Sequence, residues 1–146
     1  MITAQEVFDR AIHLMDEQNE YTGETDTVDT AEYKGRTLSI LNVLRGELYP
    51  FSDTFTDSEP GKRPICEKIP DFTSAIGLDD YICESVMPYG LAATLMMQEN
   101  PVSANFFQQR YDELKSLLAR GMPAVSEDIE DVYGSSFDHN VYGAWA

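Results

Sequence analysis

Basic side chains are scarce in this sequence. Ten Lys and Arg residues stand against 26 Asp and Glu residues, which gives a formal net charge of −16 and a pI near 4.2. Proteins that bind phosphate backbones gain most of their affinity from Lys and Arg, which displace counterions from the nucleic acid. The charge balance therefore argues against a conventional DNA-binding protein.

Cysteine and histidine are also rare. Cys66 and Cys83 show no CxxC spacing, and His13 and His139 lie far from them. We therefore expect neither a structural disulfide nor a zinc site. The sequence also lacks a Walker A loop, a dinucleotide-binding glycine motif, a nucleophile elbow and an HExxH motif. We expect a protein that is not an enzyme and needs no cofactor.

No apolar run approaches the roughly 20 residues that cross a bilayer. The first residues do not resemble a signal peptide, because Thr3 and Glu6 have the spacing of a helix capping box and Asp9, Arg10 and Asp16 interrupt the apolar residues. These features predict an intracellular protein without membrane contact.

The clearest structural pattern is an antiparallel helical hairpin between Leu78 and Gly121. Its first helix should start at Asp79 or Asp80, and its second at Asn100-Pro101, where Asn caps and Pro occupies the first helical position. The apolar stripes recur at spacings of three and four: Ile82, Val86, Tyr89, Ala93 and Met96, then Phe107, Tyr111, Leu114 and Leu118. Gly121 is a typical terminator.

Pro88 breaks the rules of this first helix. A proline inside a helix removes a backbone donor and crowds the carbonyl four residues earlier, that of Glu84, so the helix should bend or split there. Gly90 should loosen it further. A bend that wraps the helix around a small core is a simpler interpretation than a moving hinge.

Two more helices precede the hairpin. The first begins after the Thr3 capping box and carries an apolar face to about Met15, and the second runs from about Ala31 to Tyr49, where Pro50 follows. The fold class predicted is mainly α: a four-helix bundle with a kinked third helix, one long loop or short β-hairpin, and an extended C-terminal tail. The bundle domain should span 1–121 and the tail 122–146.

The connection from Asp16 to Glu32 has no Lys or Arg and many carboxylates. Glu24, Asp26 and Asp29 are suitable calcium ligands, but the spacing does not match an EF-hand loop. We therefore favour a solvated connection in which Asp29 or Thr30 caps the second helix.

The segment 50–72 is rich in Ser, Asp, Thr, Pro and Gly. The alternation of Ile65, Glu67 and Ile69 is consistent with a short strand, and so long a connection favours a protruding loop or hairpin that makes contacts. The second helix is the least acidic element, and its basic face would meet either a neighbour's acids or solvent. Together these segments give the predicted subunit-contact residues: Lys34, Arg36, Arg45, Phe51, Phe55, Lys62, Arg63, Ile65 and Ile69.

The last 25 residues contain five acids and no Lys or Arg, yet they are rich in apolar and aromatic side chains. Disordered tails are normally poor in such residues, so this segment should dock, either on its own bundle or on another chain. The residues expected to make the contact are Ile129, Val132, Tyr133, Phe137, Val141, Tyr142 and Trp145.

From Met1 through Tyr133 the chain resembles the head-tail connector or adaptor proteins of tailed bacteriophages and prophages. The resemblance rests on the Leu-Asp-Asp start at 78–80, PYGLAA at 88–93, ENP at 99–101 and FFQQRYDEL at 106–114. It implies a virion protein that assembles into a homo-oligomeric ring under the portal and bridges the capsid to a tail or stopper protein. It also implies that the C-terminal segment contacts the portal rather than its own bundle.

This resemblance implies assembly in the cytoplasm of the bacterial host and a final location at the head-tail junction of the virion. An acidic ring lumen would repel packaged DNA and let it pass without sticking. The alternative function is an acidic DNA mimic that occludes a DNA-binding enzyme. The distribution of acids disfavours it, because they concentrate in the 16–32 connection and the tail rather than in rows along helices.

Overall fold

The computed structural model describes residues 1–55, 60–62 and 66–121. Within them the chain forms four α-helices: α1 at Ala4–Met15, α2 at Ala31–Leu48, α3 at Met87–Met96 and α4 at Pro101–Gly121. The same residues contain no strand, only a single β-bridge between Thr3 and Ala75. The predicted mainly α fold, a four-helix bundle, is confirmed.

Local signals set the beginning of α1. The Thr3 hydroxyl accepts a hydrogen bond from the Glu6 amide at 3.3 Å, and the Glu6 carboxylate accepts one from the Thr3 amide at 3.3 Å. This reciprocal pair satisfies two backbone donors that a helix start leaves without partners. The helix ends at Met15, and its C-cap residue Asp16 adopts the left-handed conformation with φ of 58°.

The third helix is the centre of the bundle. It packs against α1, α2 and α4, and most of its side chains are buried. Because α3 has neighbours on several sides, it is apolar around most of its circumference rather than along one stripe. The core therefore extends outward from α3, and the other helices cover it.

The chain enters α3 through a π-helical turn at Ile82–Val86, and helical backbone begins at Asp80, as predicted. In this turn the Met87 amide donates to the Ile82 carbonyl, five residues earlier. The hydrogen bond of this turn spans five residues instead of four, and the turn includes Glu84, whose carbonyl Pro88 would crowd in a regular helix. It thus accommodates the missing donor, while the bend itself remains a prediction.

An acidic side chain at this helix start also makes contacts with a distant segment. The Asp79 carboxylate accepts hydrogen bonds from the Ser52 hydroxyl at 3.1 Å and the Asp53 amide at 3.0 Å. It therefore joins the start of the hairpin to the end of the 3-10 turn Tyr49–Phe51, which follows α2.

Gly90 has a packing role that the sequence interpretation did not include. A Cβ atom at this position would lie 2.9 Å from Leu44 Cδ2 and 3.0 Å from the ring of Tyr111. These neighbours belong to α2 and α4, so the absent side chain lets both helices approach α3 closely.

Of the two residues predicted to cap α2, Thr30 occupies the N-cap position, but its side chain does not make the expected capping bond. Its hydroxyl donates to the Thr25 carbonyl at 2.6 Å and accepts from the Thr27 amide at 3.0 Å. Thr30 is buried and organises the preceding turn, because that turn offers it a backbone acceptor and a donor at short range.

Part of the long loop is held against α2 by two polar side chains. Asn42 accepts from the Ile69 amide at 2.7 Å and donates to the Ile69 carbonyl at 3.2 Å. Arg45 donates to the carbonyls of Ile76 at 2.6 Å and Glu67 at 2.8 Å. Residues 66–70 have no strand conformation, and residues 63–65 of the predicted strand lie outside the described ranges.

Candidate interaction surfaces

The basic residues predicted to meet a neighbouring subunit have partners within their own chain. Lys34 pairs with Asp26 at 2.9 Å and lies 4.9 Å from the centre of the Phe72 ring. Arg36 donates to the Leu95 carbonyl at 3.3 Å. Subunit contact through these side chains remains a prediction, and it requires exchange or sharing of these bonds.

The loop residues predicted for the same role differ in accessibility. Ile69 is buried in the core, and Phe51 packs partly against it. The rings of Phe55 and Tyr49 meet edge to face with centroids 5.2 Å apart. Lys62 is exposed, whereas Arg63 and Ile65 lie outside the described residues. The side chain of Ile69 is therefore not accessible for the predicted subunit contact, because it packs into the core of its own chain.

The residues predicted to contact the portal all lie beyond residue 121, outside the part of the chain that the structure describes. What the structure shows is the place where that segment starts. Gly121 ends α4 beside a groove that is also lined by Phe51, Tyr81, Leu117 and Leu118.

A second groove lies between α1, the π-helical turn and α4, with a volume of about 550 Å³. Arg10 pairs with Glu84 across it at 3.5 Å, and Arg110 of α4 also lines it. Both members of the Arg10–Glu84 pair are about half exposed, so the pair contributes little stability. The groove is thus open and lined by charges of both signs.

Sequence reasoning missed an apolar surface on α4. Val102, Phe106 and Leu117 are 81%, 63% and 54% exposed, while the predicted stripe of Phe107, Tyr111, Leu114 and Leu118 packs inward. Single exposed apolar residues are common, but these three lie along one side of the same helix. The signal in the sequence was their spacing of four and eleven residues, close to whole numbers of helical turns.

The buried titratable groups of the bundle are kept neutral. Burial and a hydrogen bond to Glu47 at 2.8 Å raise the pKa of the Tyr111 phenol well above its usual value. Tyr33, which donates to Glu99, has a raised pKa for the same reasons. Burial raises the pKa of the Cys83 thiol to about 12, so it behaves as a small apolar residue.

Among the described residues, no group of His, Cys, Asp and Glu side chains is arranged to hold a metal ion. Asp26, one of the calcium-ligand candidates, instead pairs with Lys34 and receives a hydrogen bond from Gln5 at 3.3 Å.

In the same ranges, no helix is both long enough and apolar enough to span a bilayer.

The chain matches no protein-family model, and comparison with curated proteins and with solved structures gives no significant similarity.

Proposed function

We propose that the chain is a head-tail connector subunit of a tailed bacteriophage, acting in assembly rather than in catalysis. The proposal starts from the resemblance in the hairpin sequence. It is supported by the small helical bundle and by the location of the acidic, aromatic segment directly after the last helix. Such a subunit would form a homo-oligomeric ring between the portal and the tail or stopper protein. It would assemble in the bacterial cytoplasm and remain in the virion.

The observation that carries the proposal is the excess of negative charge that the bundle leaves uncompensated. Several of its few basic side chains are already paired with carboxylates: Arg10 with Glu84, Lys34 with Asp26, Arg110 with Glu113, and Lys115 with Glu47. The remaining acids would give a ring built from this chain a strongly negative wall. DNA would be repelled by that wall and would pass without binding.

In this proposal the segment 122–146 provides the contact with the portal. Aromatic side chains bury large areas at little entropic cost and often dominate protein interfaces, and Tyr133, Phe137 and Trp145 are of this kind. The segment also carries five acids, four of them just before Tyr133, and these favour a basic partner surface because opposite charges steer association.

The test is binding of the full chain to the portal ring encoded in the same phage genome, measured by native mass spectrometry. We expect a complex with the full chain and none with the triple variant Tyr133→Ser, Phe137→Ser and Trp145→Ser. The control replaces Tyr21 with Ser. Tyr21 is 94% exposed and lies in the acidic connection between α1 and α2, far from residues 122–146 in the sequence. We expect this control to bind normally.

Portal binding by the triple variant would contradict the proposed role of the C-terminal segment. An image of the complex with neutral or basic residues facing the lumen would contradict the proposed path for DNA. Co-purification with a DNA-binding enzyme that salt releases would favour the DNA-mimic alternative instead.

A further inference from the structure

One side of α4 carries an ordered row of exposed residues: Val102, Phe106, Arg110, Glu113 and Leu117. Successive members are four, four, three and four residues apart, which places them on one side of a helix. Its apolar residues lie toward the ends, and an ion pair of 3.1 Å between Arg110 and Glu113 lies in the middle. We call this row the α4 stripe.

The α4 stripe is complementary to itself in the antiparallel direction. A two-fold axis midway between residues 111 and 112 would place Phe106 opposite Leu117 and Arg110 opposite Glu113. The same axis would place Val102 opposite Gly121, where no other described residue lies within 4 Å of the position of a Cβ atom, so Val102 meets no clash there. The apolar pair and the charged pair therefore each meet a chemically suitable partner, as a two-fold interface requires.

We propose that two copies of this chain associate through antiparallel packing of their α4 stripes. From Val102 to Leu117 the stripe covers about 22 Å of helix, at a rise of about 1.5 Å per residue. Tyr81, which is 56% exposed and lines the same groove as Leu117, would extend the apolar contact at each end. This association does not depend on the proposed function.

Charge gives the pairing its direction. Two copies that each carry a formal −16 repel one another, so a contact without compensating charge would be disfavoured. In the antiparallel arrangement each Arg110 faces a Glu113 of the other copy, whereas a parallel arrangement in register brings like charges together. In the single chain their side chains are 45% and 65% exposed, so redirecting them costs little.

The test is sedimentation equilibrium of the full chain from about 1 μM to about 1 mM, a range that covers weak interfaces. We expect a reversible monomer–dimer equilibrium. The variant Glu113→Arg would place two arginines face to face at two points, and should raise the dimer dissociation constant by at least about tenfold. The matched control Asp112→Arg makes the same change in net charge on the neighbouring residue, which lies off the stripe, and should not weaken the dimer.

The double variant Arg110→Glu with Glu113→Arg exchanges the charges and should restore the wild-type dissociation constant to within about threefold. Phe106→Ser should weaken the dimer without changing the helical circular dichroism, because the ring is 63% exposed. A monomer at every concentration would overturn the proposal. Equal effects of Glu113→Arg and Asp112→Arg, or no recovery in the double variant, would overturn it as well.

Discussion

The two helices of the hairpin, α3 and α4, show how differently neighbouring segments of one chain are used. Helix α3 has ten residues, and the buried ones occupy almost its whole circumference. Helix α4 has 21 residues, of which Ala104, Phe107, Tyr111 and Leu114 are buried along one stripe. One helix is enclosed by the bundle, and the other lies at its edge.

This difference separates stability from recognition. Contacts that hold the bundle together converge on α3, because α1, α2 and α4 all pack against it. The exposed residues of α4 add little to the fold, and the described part of the chain does not bury them. Substitutions in the two helices should therefore have opposite consequences: unfolding for α3, and loss of association with an intact fold for the outer side of α4.

The largest effect should come from shortening a buried side chain of α3. Leu91 is fully buried, so Leu91→Ala removes packed methyl groups and leaves a cavity, which should lower the free energy of unfolding by about 3 kcal/mol. Urea denaturation followed by circular dichroism measures this change.

The matched control is Leu117→Ala on α4. Leu117 is 54% exposed, and in dilute solution its truncation should change the free energy of unfolding by less than about 0.5 kcal/mol. Similar losses for the two leucines would show that α3 is not the centre of stability that we describe.

A smaller effect of the same kind is expected at Gly90. Gly90→Ala places a methyl group against Leu44 and Tyr111, and the cost of overpacking should exceed the gain in helix preference, for a net loss of about 1 kcal/mol. Gly46→Ala in α2 is the matched control. A Cβ atom there meets no other described residue within 4 Å, so the free energy of unfolding of this variant should rise by about 0.5–1 kcal/mol.

The same denaturation experiment measures both glycine variants. A gain in stability at both positions would mean that the helices around α3 tolerate a wider separation than their contacts indicate.

The helices could be predicted because their signals are local. The capping box at Thr3 and the Asn100-Pro101 pair each act within one turn, and the structure confirms both boundaries. Termination by Gly121 remains a prediction, because Gly121 is the last residue that the structure describes. Asn100 accepts from the Ser103 amide at 3.2 Å, as a capping residue does. Signals that act within one turn do not depend on the rest of the fold.

Contacts between distant segments could not be predicted in this way. Arg45 suggested a face for a neighbouring subunit, but its side chain holds the carbonyls of Glu67 and Ile76 in the same chain. Asn42, one turn earlier on α2, binds the same connection at Ile69. Two polar residues one turn apart are the only sequence signal, and they do not identify the segment that they bind.

The candidate site was harder still to predict. The inward stripe on α4 can be recognised because its apolar residues are numerous and regularly spaced. Once that stripe is assigned, Phe106 and Leu117 cannot be told apart from scattered apolar residues in the sequence. Only the structure shows that no element of the described chain covers them. The gap between prediction and structure thus lies in what each helix surface contacts, not in where each helix lies.

The last prediction concerns Tyr111, which anchors the inner side of α4 to α2. Its folded pKa lies well above its usual value, first because of burial and then because of the bond to Glu47. In the unfolded chain the phenol ionises near pH 10, so it binds fewer protons than in the folded state at higher pH. Stability from this group is complete below about pH 10 and declines above it, at about 1.4 kcal/mol per pH unit.

The variant Tyr111→Phe separates this effect from packing. At neutral pH it should cost about 1 kcal/mol, because the hydrogen bond to Glu47 is lost. Above pH 10 the difference in free energy of unfolding between the variant and the wild type should shrink, since the variant has no phenol at position 111 to ionise when it unfolds. Urea titrations at neutral pH and at two alkaline values measure both changes.

Glu47→Gln distinguishes the two causes of the raised pKa. It removes the neighbouring charge and leaves Tyr111 buried. If burial is the main cause of the raised pKa, most of the loss of stability above pH 10 should persist in this variant. If the free energy of unfolding of Tyr111→Phe falls as steeply above pH 10 as that of the wild type, the Tyr111 phenol reaches solvent in the folded state. The inner side of α4 would then be as loosely held as its outer side, and the contrast between the two helices would no longer explain which surface is available to a partner.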